Sequence, residues 1–400
     1  MKSKQQVHPH GEERPKGASR TMGGGTARKL TCGPAWFETA PLDRLGAPPH
    51  HEGGVCSELP KRGMRGFAVA FAFVAAVIAS APALAQEPVA IRFGAAPVPT
   101  SPLQTRGVGP FTAQLEADSQ GTLKIVYYPG AVLGPPQHTY DNTMRGVYDM
   151  SFGMFGVVSS QFPRTHVTTL PFINRNAREA SIALWRLYAN GLIAEEYAGL
   201  RPLAIYDFVD TRIHARKPVS KLEDMNGLKV TATSRMVVRA VTAAGGTILT
   251  IPPSEVYSVL QRGVADAAAL AWTAVMPFKI PEVTSWHLDT SLGMEPAYLL
   301  MNKDTYAKLP APARAAIDKH AGAPISERLG ALNDDIGAED RAKVKAMPNQ
   351  TIVELDAAEA ARWAARTAPI VDEWLKETPN GAAVLASYKA ELEKIRAGSR

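Results

Sequence analysis

The sequence predicts an α/β protein built around mostly parallel strands, and three observations carry that prediction. From Val89 onward, short strand-like apolar runs alternate with segments of helical periodicity, which is the order of parallel α/β units. Turn-forming residues separate these segments, as where Pro129 and Gly130 end a strand. The chain beyond residue 85 is about 315 residues long, which is enough for two domains.

The individual elements follow from apolar patterning and from the residues at their ends. In chain order, the predicted strands are 89–96, 121–129, 148–155, 201–208, 228–233, 246–252, 265–270, 297–303 and 350–355. The predicted helices are 103–117, 139–145, 177–196, 236–244 and 254–262, and the chain after residue 303 is almost all helical apart from the last strand. The helix 254–262 has clear ends, because Ser254 suits an N-cap and Gly263 suits a helix end.

The amino-terminal part has the order of parts of an export signal. A positive residue precedes the apolar run 67–81, and a small-residue cleavage motif, Ala-Leu-Ala, ends at Ala85. We therefore predict a signal peptide over 64–85, cleavage after Ala85 and a periplasmic product. A transmembrane anchor is the alternative, because the apolar region approaches the roughly 20 residues that span a bilayer, but Pro82 counts against it.

Residues 1–63 lie upstream of this signal and are predicted to be a disordered extension. They are rich in Gly, Pro, His and charge, and Met64 would be a natural start for the export signal. Both cysteines, Cys32 and Cys56, precede the apolar run. The exported chain therefore has no disulfide and depends on its hydrophobic core.

The basic charge of the whole chain does not indicate a nucleic-acid partner. The formal net charge is +6, but residues 1–85 hold 11 Lys/Arg and 6 Asp/Glu, which leaves 33 and 32 for residues 86–400. The basic balance thus belongs to the amino-terminal part. Because the rest has no basic stripe, we expect no binding to nucleic acid.

Catalytic signatures are absent from the sequence. It contains no G-x-S-x-G, H-E-x-x-H, P-loop or C-x-x-C motif. The histidines after residue 86 lack the spacing of metal ligands; they are His138, His166, His214, His287 and His320. We expect no catalysis, no cofactor and no metal.

Aromatic residues and two arginines are the candidates for a ligand cleft. Phe152 and Phe155 begin a long connection after a strand, and ligands of open parallel sheets bind beyond the carboxyl ends of strands. Arg212 and Arg235 have the planar fork that suits a carboxylate. Trp272 follows the strand that ends at Leu270. The alternatives are core packing for the aromatic residues and solvated surface for the arginines.

Six stretches, in the same order as in the family, resemble the extracytoplasmic solute-binding subunits of tripartite ATP-independent periplasmic (TRAP) transporters. They are IVYYPGAVLG, RGVYDMSFG, FPRTHVTTLPF, KPVSKLEDMNGLKV, IPPSEVYSVLQRGVADAA and MNKDTYAKLP, which together span 125–310.

The resemblance implies a two-domain fold of the type II periplasmic-binding-protein class, with a hinge between two lobes. Lobe I would comprise 86–209 and 297–337, and lobe II would comprise 210–296 and 338–400. The helical carboxyl-terminal region would brace both lobes.

The resemblance also implies how a ligand would be held. Members typically place a carboxylate-binding arginine directly after the G-L-K-x motif, where this chain has Thr231, and often a second one earlier, where it has Arg212. Arg235 and Thr231 would supplement Arg212. An aromatic wall would suit an apolar or cyclic ligand; its members would be Phe152, Phe155, Trp272 and Phe278.

The function implied is capture of a small organic acid by a periplasmic protein, acting as a monomer, and its delivery to the membrane subunits of a TRAP transporter. One alternative is an exported, hydrolase-like enzyme on the same fold, because fold does not fix function. Another is a binding protein that serves an ATP-driven transporter or a sensor.

Overall fold

Two β-sheets, each flanked by helices, form the part of the chain that the structure describes. The structure is a computed structural model and describes residues 87–232 and 234–398. The described residues lie in one unit, Pro82–Arg400. The extension 1–63 and the signal peptide 64–85 with its cleavage after Ala85 fall outside the described residues and stay predictions.

The first sheet has five strands in the order β2-β1-β3-β10-β4. Its strands are β1 (Val89–Ala96), β2 (Leu123–Pro129), β3 (Met150–Met154), β4 (Leu200–Asp207) and β10 (Pro296–Asn302). β1 is parallel to β2 and β3, whereas β10 is antiparallel to both of its neighbours. The late strand β10 therefore completes a sheet that begins at the other end of the chain.

The second sheet has six strands in the order β11-β9-β5-β8-β6-β7. Its strands are β5 (Thr211–Ala215), β6 (Lys229–Thr231), β7 (Thr247–Leu249), β8 (Ala267–Ala271), β9 (Trp286–Asp289) and β11 (Thr351–Glu354). β5 is antiparallel to β8 and β9, and the remaining pairs are parallel. The chain thus passes between the sheets through 208–210 and returns through 290–295.

Helices cover both sheets and link them. They are α1 (Gly109–Asp118), α2 (Thr139–Met144), α3 (Ala177–Ala189), α4 (Arg235–Ala243), α5 (Val256–Gln261), α6 (Trp272–Val275), α7 (Lys303–Lys308), α8 (Ala311–His320), α9 (Ala323–Ala346), α10 (Ala357–Glu377) and α11 (Gly381–Arg396). A π-helical turn, Leu103–Val108, leads into α1. Within the described residues, no helix combines the length and the apolar content that a bilayer span requires.

The carboxyl-terminal helices contact elements from both sheets. The long helix α9 packs against α3 and β4 beside the first sheet and against α6 beside the second. α10 packs on α4, whereas α11 packs on α3. This arrangement, with two sheets and a shared helical layer, is the two-lobed α/β fold that the sequence predicts.

Two strands, one helix start and one helix end differ from the sequence prediction. The helix expected from Ser254 begins at Val256, with Glu255 and not Ser254 as its N-cap. β5 and β9 were not predicted, because the faces that they bury carry His214 and His287, which hide the apolar alternation. The helix predicted over 177–196 ends at Ala189, since Gly191 adopts a φ of 89° that an α-helix does not allow. A separate 3-10 turn then covers Ala194–Tyr197.

Candidate ligand-binding cleft

A small pocket lies where the loop after β3 meets the beginning of α4. Gly156 and His166 line it from the first sheet's side, Ser234 and Arg235 from the second, and Trp374 and Glu377 from the end of α10. Its volume is about 50 Å³, and we call it the Arg235 pocket. A volume of this size holds a small polar group or a few water molecules rather than a complete drug-sized ligand.

Arg235 is the first residue of α4 and its side chain lines this pocket. The side chain is 61% exposed and contacts Glu377 at 3.1 Å. Ser234, the N-cap, makes no side-chain capping bond to the first turn. The backbone N–H groups at the start of α4 and the positive end of its dipole therefore add to the arginine charge, which favours an anion here.

His166 lines the same pocket and carries an acceptor left unpaired by the described residues. Its Nδ1 lies 2.8 Å from the carbonyl oxygen of Phe162. Because a carbonyl only accepts, Nδ1 carries the hydrogen and Nε2 carries a lone pair. Burial lowers the pKa of His166, and the nearby Arg235 charge lowers it further, so the ring is neutral. Nε2 is buried and has no hydrogen-bond partner among the described residues.

Glu295 joins the two sides of the cleft. The backbone N–H of Gly156 donates to its Oε1 at 2.8 Å. Burial raises the pKa of Glu295 to about 7, although the Gly156 N–H and the Ser234 hydroxyl oppose that rise. A Cβ at residue 156 would lie 2.3 Å from Oε1, so a side chain there would displace the carboxyl. Glu295 lies in the return segment 290–295. Its carboxyl therefore connects the loop after β3, this segment between the sheets, and the start of α4.

Arg212 lies at the cleft edge of the second sheet, opposite Leu270 of β8. Its Nε donates to Asp289 Oδ1 at 2.7 Å, its Nη1 lies 3.2 Å from Asp210 Oδ2, and Nη1 also donates to the carbonyl of Thr290. Asp289 in turn accepts from Arg341 Nε at 2.9 Å. Most of the donors of Arg212 are therefore used within the protein.

A second pocket, of about 170 Å³, surrounds this cluster and is called the Arg212 pocket. Cations and anions alternate along it: Arg175, Arg212 and Arg341 face Asp210, Asp289 and Asp334. Burial raises the pKa of Asp289, but Arg212, Trp272 and Arg341 outweigh it and hold the pKa below its usual value. The pocket is therefore charge-balanced without a ligand.

Trp272 rests on a buried histidine pair. Its Nε1 donates to Asp289 Oδ1 at 3.1 Å, and its ring centroid lies 4.9 Å from that of His214. His214 Nδ1 and His287 Nδ1 are 2.8 Å apart, and His287 Nε2 lies 2.7 Å from Gln350 Oε1. Trp272 is only 4% exposed, so one edge at most faces the Arg212 pocket.

The remaining predicted residues are dispersed around the cleft. Thr231 ends β6, is 2% exposed, and its hydroxyl has no partner among the described residues. Phe155 is fully buried and packs against Phe162, whose ring centroid is 4.7 Å away. Phe152 and Phe278 are partly buried, each against a different core cluster. The structure thus brings Arg212 together with Trp272, and Arg235 lies in a separate pocket.

Glu295 and His166 are the residues that sequence reasoning missed. Glu295 is a single acidic residue ahead of a strand, and nothing in its local sequence distinguishes it from surface. His166 belongs to FPRTHVTTLPF, which carried the family resemblance, but an isolated histidine gives no sign of its tautomer. Within the described residues, no group of three His, Cys, Asp or Glu side chains could hold a metal ion.

Three solved structures resemble this chain closely in fold. A marine metagenome TRAP solute-binding protein specific for aromatic acid ligands, in complex with metahydroxyphenylacetate, is 26% identical, has a TM-score of 0.72, and covers 76% of this chain and 99% of its own. A TRAP protein from Rhodoferax ferrireducens T118 with copurified benzoate is 26% identical, with a TM-score of 0.73 and coverage of 78% and 100%.

The third structure is a TRAP periplasmic protein from Bordetella bronchiseptica with bound (R)- and (S)-mandelate. It is 25% identical, has a TM-score of 0.69, and covers 77% of this chain and 100% of its own. All three are binding proteins, so the comparisons favour solute binding over the exported-enzyme alternative and a TRAP partner over an ATP-driven one.

The family model of the bacterial extracellular solute-binding proteins, family 7, matches residues 94–378, which is well over half of the chain. This match agrees with the two-lobed fold and with the resemblance carried by the six sequence stretches. The chain therefore belongs to family 7 of the bacterial extracellular solute-binding proteins and is a solute-binding subunit of the TRAP type.

Proposed function

We propose that this protein captures an aromatic monocarboxylate in the cleft between its two sheets and delivers it to the membrane subunits of a TRAP transporter. The observation that carries the proposal is the ligand set of the three similar structures, which are all aromatic acids. An aromatic ligand also suits a cleft whose edge carries Trp272 and, nearby, the partly buried Phe278.

The carboxylate anchor in this proposal is Arg235 with the amino terminus of α4. Arg235 is exposed and has one carboxylate partner, Glu377, which a ligand can displace because exposed pairs contribute little. Arg212, in contrast, is held by Asp210 and Asp289. Its role is to fix the cleft edge and Trp272, while the buried Thr231 hydroxyl supplies a further donor where relatives carry arginine.

The lobe assignment is part of the same proposal. Lobe I comprises 86–209 and 297–337, and lobe II comprises 210–296 and 338–400. The support is that the first sheet takes its strands from 89–207 and 296–302 and the second from 211–289 and 351–354, so the sheets separate within one residue of these boundaries, at Pro296 of β10. Closure would then occur about the crossing segments 208–210 and 290–295, and it would shield the charged contacts from water and strengthen them.

Export and assembly complete the proposal. The signal peptide 64–85 directs the chain to the periplasm, where cleavage after Ala85 leaves Gln86 as the first residue of a monomer. Mass spectrometry of the protein recovered from the periplasm measures that terminus, and sedimentation measures the monomer. A retained apolar segment or a stable dimer would contradict these points.

The function is tested by thermal unfolding and calorimetry of the exported protein with benzoate, phenylacetate, mandelate, succinate and glucose. A ligand at about one hundred times its Kd adds roughly 2.7 kcal/mol to the free energy of unfolding. We expect the aromatic acids to stabilise the protein and glucose to have no effect. Stabilisation by glucose, or by succinate alone, would overturn the proposed ligand class.

A further inference from the structure

The Arg235 pocket is lined by His166, whose buried acceptor an aromatic carboxylate without other polar groups cannot satisfy. His166 is only 7% exposed, its Nδ1–H is occupied by the Phe162 carbonyl, and its Nε2 lone pair has no partner among the described residues. An unpaired buried acceptor costs free energy, and a donor that reaches it recovers that cost. The natural occupant of this pocket therefore carries an O–H or N–H group.

The opposite wall of the same pocket supplies donors and positive charge. Ser234 and Arg235 line it, α4 begins there with nine residues, and its N-cap side chain makes no capping bond. Burial and the nearby Arg235 lower the pKa of His166, which favours the neutral ring. The pocket thus suits a ligand group that accepts hydrogen bonds from Ser234 and Arg235 and donates one to His166.

The size of the pocket limits how these two groups are arranged. About 50 Å³ admits a compact polar head but excludes an aromatic ring. A carboxylate and a hydroxyl on adjacent carbons form such a head, whereas a hydroxyl across a ring from the carboxylate does not. The ring of the ligand would remain outside the pocket, in the cleft between the sheets.

We propose that the natural ligand is a 2-hydroxy carboxylate with an aromatic body, whose hydroxyl donates to His166 Nε2 while its carboxylate accepts from Arg235 and the start of α4. This inference rests on the proposed function and names the ligand class more closely. His166 is the residue that determines specificity, because its lone pair accepts from a hydroxyl and repels the carboxylate oxygens of a ligand that lacks one.

The test compares mandelate with phenylacetate, which differ only by the hydroxyl on the carbon beside the carboxylate. Titration calorimetry of the exported protein should show mandelate binding at least about tenfold more tightly. Equal affinities would overturn this inference while leaving the proposed function intact. Failure of both acids to bind would overturn the proposed function and this inference with it.

Two substitutions at His166 separate the role of Nε2 from that of the fold. His166→Asn keeps a donor near the Phe162 carbonyl but removes the Nε2 acceptor, and it should abolish the preference for mandelate while retaining phenylacetate binding. His166→Gln places an amide oxygen near Nε2 and should restore part of the preference. His320→Asn, a matched control at a histidine paired with Asp118, should leave the ratio unchanged. A preserved preference in His166→Asn would refute the assignment.

A measurement on the unmodified protein covers the case in which the variants do not fold. Nitrogen-15 chemical shifts of His166 should show the Nδ1–H tautomer in the free protein. Added mandelate should shift Nε2 in the direction of an accepted hydrogen bond, and phenylacetate should not. An unchanged Nε2 shift at saturating mandelate would overturn the proposal.

Discussion

Arg212 Nε donates to Asp289 Oδ1 at 2.7 Å, and the same carboxylate oxygen accepts from Trp272 Nε1 at 3.1 Å. One aspartate therefore fixes both the arginine and the tryptophan that the sequence singles out for ligand binding. Because Arg341 of α9 holds the other oxygen at 2.9 Å, the cluster also connects the second sheet to the long helix. These contacts and those to Asp210 and Thr290 use most of the donors of Arg212 within the protein.

The two arginines should respond differently to substitution. Arg212→Ala removes one of the two arginines that contact Asp289 and the arginine that contacts Asp210, whose side chains are 17% and 5% exposed, and it should lower the free energy of unfolding by about 2–3 kcal/mol. Arg235→Ala removes an exposed pair and should cost less than about 1 kcal/mol of stability, yet weaken binding of an aromatic acid at least about tenfold. Chemical denaturation measures the change in stability of each variant, and calorimetry measures the change in binding of an aromatic acid.

The reverse result for these variants would reassign the anchor. If Arg212→Ala abolishes binding without loss of stability, and Arg235→Ala binds normally, Arg212 holds the carboxylate. Arg314→Ala is a suitable control, because among the described residues that arginine donates to no group but the surface carbonyl of Ala307.

Asp207 should make the protein less stable at alkaline pH. It is fully buried, and desolvation raises its pKa to about 8 despite the nearby Thr168 hydroxyl. The folded state therefore holds a proton that the unfolded state releases near pH 4, so the contribution of Asp207 is present below pH 4 and is lost as pH rises toward 8. Relative to Asp207→Asn, wild-type stability should fall by about 1.4 kcal/mol per pH unit across that window. A difference that does not vary with pH would contradict the raised pKa.

His214 should have the opposite effect at acid pH. Burial lowers its pKa to about 3, with a further contribution from His287. Below about pH 6.5 His214 is protonated in the unfolded chain but stays neutral in the folded chain. The contribution of neutral His214 to stability is therefore complete above pH 6.5 and is lost as pH falls toward 3. His214→Gln should flatten the pH dependence of unfolding between pH 6 and 4. The substitution also alters packing, so the informative quantity is the slope of the unfolding free energy against pH. An unchanged slope would refute the lowered pKa of His214.

The contact between Gly156 and Glu295 should couple the loop after β3 to the hinge segment. Gly156→Ala places a Cβ 2.3 Å from Oε1 and should displace the carboxyl, with a loss of about 1–3 kcal/mol in unfolding free energy and weaker ligand binding. In a Glu295→Ala background the same substitution should cost little, because the atom that it meets is gone. Ser160→Ala, in an exposed part of the same loop, is the control. An equal cost in both backgrounds would show that the strain lies elsewhere.

The fold class, nine of the eleven strands and the family could be predicted from the sequence, because each depends on local patterns. Strands such as β1 and β10 are short apolar runs bounded by turn residues, and their burial follows directly. β5 and β9 could not be predicted in this way, since their buried histidines satisfy each other only after the chain brings residues 73 positions apart within 2.8 Å.

The tertiary structure decided which of the candidate side chains meet. The sequence determined that arginines at 212 and 235 exist near strand ends, and the family resemblance implied a carboxylate-binding arginine at the position of Thr231. It could not show that Asp289, 77 residues beyond Arg212, would take up that arginine, or that Glu295 would accept from Gly156, 139 residues earlier. Local sequence patterns determine where helices and strands form. The pairing of charged side chains and the tautomer of His166 depend instead on distances between residues that only the folded chain brings together.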